Sequence, residues 1–91
     1  MKYAVAEIPS DALTVAIEAA RELTRARSKF HAFAGPHEGY AVILEELDEL
    51  WDLVRAFPKR SSVDQMRSEA IQIAAMALRF IVDVCDAEKP A

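Results

Sequence analysis

Ninety-one residues with a net charge of −4 describe one small domain and exclude a chain built around a nucleic-acid polymer, which needs a basic face against the phosphates. Hydrophobic residues make up 53% of it, more than so short a chain has interior to hide, so some apolar surface is expected to meet a second copy in a homodimer or homotetramer. The single cysteine, Cys85, rules out an internal disulfide and a cysteine-rich zinc site; MKYAVAEIPS shows no leader and no apolar run is long enough for a bilayer, so a cytoplasmic protein with no membrane contact is expected.

Residues 1–9 read as an extended arm in which Tyr3, Val5 and Ile8 have the alternation of a short strand. Pro9-Ser10-Asp11 opens a first helix, with Ser10 or Asp11 as N-cap, that runs to about Ser28. Its buried stripe is predicted at Leu13, Ala16, Ile17, Ala20, Leu23 and Thr24. Arg21, Arg25, Arg27 and Lys29 load its C-terminal end with positive charge, which suits the helix dipole. Residues 29–36 form a connection that Gly35-Pro36 keeps from being helical. The second helix is predicted from about His37, which is placed to cap it, to Phe57, where Pro58 stops it. Lys59-Arg60-Ser61 is a turn, and Ser62 with Gln65 fits a capping box. The third helix then runs from about Val63 to Asp86, and residues 87–91 are expected to fray. The fold class is all-α: one domain over residues 1–91, an antiparallel bundle of three main helices, its core completed by oligomerisation. The third helix is apolar almost all round. Gln72, Arg79, Asp83 and Asp86 form a narrow polar strip on it, with Arg79 and Asp83 spaced to pair, and such a helix is normally central.

At about 100° per residue, Val42, Ile43, Leu50, Leu53 and Phe57 fall within about 60° of Glu46. Glu46 therefore sits inside the apolar stripe of the second helix. Glu49 lies at the edge of that stripe and Glu45 further out, while Asp48, Asp52 and Arg55 occupy the solvent arc and Trp51 sits opposite Glu46. On the third helix Glu69 shares its face with Ile73, Met76 and Phe80, and Gln72 lies one turn on. A lone carboxylate in an apolar face is costly and is usually paired or metal-bound. Several carboxylates meeting there raise one another's pKa unless a cation joins them. A hard divalent ion, Mg²⁺ or Mn²⁺, prefers such oxygen ligands.

The segment Glu45-Glu46-Leu47-Asp48-Glu49, separated by nineteen residues from Glu69-Ala70-Ile71-Gln72, resembles the paired E-E-x-x-E and E-x-x-D motifs of the MazG-like all-helical nucleoside triphosphate pyrophosphohydrolases. His37-Glu38-Gly39-Tyr40-Ala41-Val42 before the first motif, and Ala70 through Phe80 after the second, also look like short members of that family. The resemblance covers roughly residues 25–86. It implies Mg²⁺ ligation by Glu46, Glu49 and Glu69, with Gln72 in the fourth ligand position, and a role for Glu45 in orienting or deprotonating water. It further implies cleavage of a nucleoside triphosphate to the monophosphate and pyrophosphate, in an oligomer. Gln72 departs from the pattern: its amide oxygen can ligate Mg²⁺ but brings no charge. A non-catalytic relative, binding nucleotide or only oligomerising, is the alternative this residue raises.

A triphosphate would need protein cations besides the metal; Lys29, Arg25, Lys59, Arg60 and Arg67 lie near helix ends and loops, and Lys29 and Arg67 are the choices among them. Phe30 and Phe33 can stack on a base, though core packing is preferred for both. His31 and His37 have no cysteine or histidine at ligand spacing and are poor zinc ligands.

Overall fold

The structure is a computed structural model, and it describes residues 7–87. Among them the regular elements are all helical: α1 (Ser10–Lys29), α2 (Pro36–Ala56) and α3 (Val63–Phe80), the last widening into a π-helical continuation over Ile81–Asp86. The expected third helix thus ends where predicted but changes its winding after Phe80. Tyr3 and Val5 of the expected strand, and residues 88–91 of the tail, lie outside the described residues. None of the helices is long and apolar enough to cross a membrane.

The helix starts separate expectation from outcome. The capping box holds at α3: Ser62 Oγ accepts from the Gln65 amide at 3.2 Å, and Gln65 Oε1 accepts from the Ser62 amide at 2.9 Å. Neither Ser10 nor Asp11 caps α1. Pro9 takes the N-cap place, its carbonyl accepting from Leu13 N at 2.9 Å, because φ fixed by the proline ring already suits helix entry. His37 does not cap α2 either. Gly35 is the N-cap, Pro36 opens the helix, and His37 is exposed. The Glu38 carboxylate instead accepts from Ala34 N at 2.9 Å, pinning the connection to the first turn of α2.

α2 and α3 form an antiparallel hairpin. The Ser61 hydroxyl donates to Leu53 O beside the turn, and at the far end Gly39 of α2 meets the Phe80 ring of α3. A Cβ at Gly39 would stand 2.5 Å from Phe80 Cδ2, so only glycine allows this closeness. α3 is the middle helix, as its all-round apolarity predicts: α1 and α2 each pack on it and scarcely on each other. α1 runs along α3 in the same direction, as the first and third helices of an up-down-up antiparallel bundle do. Glu18 meets Arg67 in the first half of α3, while Ala26 packs with Ala75 and Met76 in the second.

The buried stripe of α1 also differs from expectation. Leu13 and Leu23 are half-buried as predicted and Ala19 and Ala26 are buried, whereas Ala16, Ile17, Ala20 and Thr24 are exposed. Alanines on several sides of α1 leave its apolar period weakly defined, and packing on α3 decides which side turns inward.

The core consists of Ala26, Phe33, Ala75 and Met76, with Val42, Ile43, Phe80 and Val84 packed against it. Among the described residues no large side chain is fully buried. The molecule measures 50 × 35 × 20 Å, with a radius of gyration of 15.0 Å; a compact chain of this length would have about 12 Å. The bundle is open and flat, one thin layer of helices.

Arg79 and Asp83 do pair, Nε to Oδ2 at 3.3 Å, but not on a solvent strip. Their side chains are 6% and 3% exposed. The Arg79 guanidinium lies 4.0 Å from the Phe33 ring centroid and donates to His31 O, and Asp83 Oδ2 also accepts from Phe33 N at 3.1 Å. The α1–α2 connection covers this end of α3, which is why the pair is enclosed.

Candidate metal centre

Antiparallel packing brings the middle of α2 against the first half of α3. Glu46 and Glu49, one turn apart on α2, thereby face Glu69 of α3. One carboxylate oxygen from each of the three lies within 4.8 Å of the others. Glu46 and Glu69 are half-buried and Glu49 is exposed, which is the order their helical positions predict. Glu45 stands outside this trio, exposed on the adjoining side of α2.

Glu69 carries the strain of the arrangement. Its Oε2 is buried with no hydrogen-bond partner. Burial first, and then the neighbouring Glu46 and Glu49 carboxylates, push its pKa up to about 8. A buried acceptor without a donor is uncommon and costs on the order of 1–3 kcal/mol. A divalent cation is the simplest group that would satisfy the orphan oxygen and neutralise the trio together. Mg²⁺ takes oxygen ligands at about 2.0–2.1 Å, so oxygens around one ion stand about 3–4 Å apart. The 4.8 Å limit on the trio's separations is of the same order as that spacing, and its donors are all hard oxygens.

Beside Glu46 lies a cavity of about 320 Å³, enclosed by α1, α2 and α3 and lined by Arg25, Lys29, Phe30, Gln72, Met76 and Arg79 among others. Gln72 therefore opens onto the same space as Glu46. Lys29 also opens onto it. Arg67 does not: it lines an adjoining cleft of about 430 Å³ between α1 and α3 that shares Glu22, Arg25 and Gln72 with the cavity, and there both its terminal nitrogens bond the Glu18 carboxylate at 2.7 Å. Phe33 is a core residue, as preferred, but Phe30 is 61% exposed at the cavity rim.

Arg79 in the cavity wall was not legible as a site residue, because its i, i+4 relation to Asp83 reads as a surface pair. The signal available was its place one turn beyond Met76, on the shoulder of the apolar face. Arg25 was legible as one of five cations near helix ends and loops, and the structure places it in the cavity wall.

Comparison with family models, with curated proteins and with solved structures returns no match, so the chemistry is read from the geometry of the centre and from the motif resemblance alone.

Proposed function

We propose that this chain is a Mg²⁺-dependent nucleotide pyrophosphohydrolase, with Mn²⁺ as a competent substitute, that cleaves a nucleoside triphosphate to the monophosphate and pyrophosphate. The observation that carries the reading is the convergence of Glu46 and Glu49 with Glu69, whose buried oxygen lacks a partner, beside a cavity with cationic side chains. Glu46, Glu49 and Glu69 would hold the ion, with the Gln72 amide oxygen as a neutral fourth ligand. The ion supplies charge neutralisation of the triphosphate and polarisation of the scissile phosphoryl group. Lys29 and Arg25 bind phosphate oxygens from the α1 side, and Phe30 at the rim offers a face for a base. Glu45, exposed to the solvent that supplies the nucleophile, takes a proton from water as its oxygen bonds to the α-phosphorus. The α–β phosphoanhydride bond breaks and pyrophosphate leaves with the bonding pair. The reading includes a homodimer or homotetramer and a reducing, cytoplasmic setting, which suits the exposed, unpaired Cys85.

Pyrophosphate release across a panel of canonical and modified nucleotides, with Mg²⁺ and with Mn²⁺, tests this. Turnover of at least one nucleotide, abolished in Glu69→Gln, is expected. Absence of turnover with every nucleotide would overturn it. The neutral Gln72 favours a second reading, a nucleotide binder with a degenerate centre. Nucleotide binding without hydrolysis, and hydrolysis gained in Gln72→Asp, would establish that reading instead.

A further inference from the structure

We infer that one face of α2 is the contact between two copies of this chain, packed as an antiparallel helix pair. Tyr40, Leu44, Leu47, Trp51 and Val54 recur at steps of four, three, four and three. That is the heptad spacing of a coiled-coil seam. On α2 they form a stripe about 110° around the helix from the inward face. All five are exposed, Tyr40 at 64% and Trp51 at 60%, so none of the described residues covers the stripe. An exposed apolar band of this length is a contact surface and not scattered surface hydrophobicity.

The occupant follows from three observations. The chain lacks a core of its own size: no large side chain is fully buried among the described residues, and the molecule is only 20 Å thick in its smallest extent. A second layer of the same helices supplies the missing side. The five side chains expose roughly 500 Å² per copy, so a symmetric pair covers on the order of 1,000 Å², the lower bound for a specific interface. The flanks then select the direction. Asp48 and Arg55 border the stripe on its polar side, whereas Ile43, Leu50 and Phe57 border it on the side nearer the core. A parallel pair would set each charged flank against the partner's apolar flank. An antiparallel pair sets charged flank against charged flank and apolar flank against apolar flank. A two-fold axis makes the same stripe serve both copies.

The inference rests on the oligomeric part of the proposed function and on none of its metal chemistry, and a measurement without metal or nucleotide separates the two. Sedimentation equilibrium at about 100 μM is expected to give twice the chain mass of 10.1 kDa or an even multiple. Trp51→Glu is expected to fall to the mass of one chain. Ala16→Glu, on the exposed alanine-lined groove between α1 and α3, is expected to keep the pair. Should monomers fail to fold alone, Leu47→Lys mixed with Leu47→Glu keeps the question open to test: each variant alone loses the pair, and the mixture regains both helicity and the double mass. A wild-type monomer, a Trp51→Glu dimer, or a mixture that stays apart would each overturn the inference.

Discussion

Arg79 and Asp83 form an ion pair at 3.3 Å in which both side chains are almost wholly removed from water. Asp83 also accepts the Phe33 amide, and Arg79 stacks on the Phe33 ring and reaches His31 O. One pair thus ties the α1–α2 connection to the end of α3. Asp83→Ala leaves a buried guanidinium without its counter-charge and a backbone N–H without its acceptor. A loss of about 3–5 kcal/mol is expected from urea unfolding, enough to unfold a small domain. A loss below about 1 kcal/mol, the usual worth of an exposed pair, would show that the pair is not enclosed.

Gly39 sets how closely α2 approaches α3. Gly39→Ala gains helix propensity of about 1 kcal/mol, but its methyl carbon would stand 2.5 Å from the Phe80 ring. Overpacking of this kind costs about 1–3 kcal/mol, so net destabilisation is expected in thermal melts. Phe80→Leu in the same chain is expected to reduce the penalty by removing the ring atoms that clash.

Glu69 gives the metal-free protein a pH signature. Its folded pKa, raised from 4.5 to about 8, means that between these values the folded chain holds a proton the unfolded chain has released. Stability contributed by the neutral form is complete below about 4.5 and is lost as pH rises to about 8. In chelator, the melting temperature is therefore expected to fall across this window in wild type and to vary less in Glu69→Gln. Mg²⁺ is expected to raise it most near pH 8, where the ion no longer competes with the proton.

Lys29 and Arg67 are separated by their surroundings. Lys29 opens onto the cavity beside Glu46, while Arg67 is held by Glu18 in another cleft. Lys29→Ala is expected to raise the KM for nucleotide by about tenfold, the loss of roughly one charge-assisted contact. Arg67→Ala is expected to change it less than about threefold. Steady-state kinetics of the two variants checks this, and the reverse order would move the phosphate site into the α1–α3 cleft.

The carboxylate trio was legible because position around a helix follows from residue number alone. Glu46 and Glu69 share arcs with Leu50 and Ile73, so the direction they face required no knowledge of the packing. The centrality of α3 followed from its all-round apolarity in the same way. The inward side of α1 did not, because alanines surround that helix and only packing on α3 distinguishes Ala19 from Ala16. Enclosure of Arg79 depended on a connection, residues 30–35, whose path no periodicity describes. The N-caps of α1 and α2 went to Pro9 and Gly35 over polar neighbours, because backbone shape outweighed side-chain capping at those two starts.

The account turns on whether Glu46, Glu49 and Glu69 bind a divalent ion. Calorimetric titration of the full chain with Mn²⁺ at pH 8, repeated with Glu69→Ala, asks this directly. Saturable binding by wild type, with proton release that grows as the pH is lowered towards 7, and its loss in the variant are expected. Absence of binding, or binding that Glu69→Ala leaves undiminished, would contradict the metal centre.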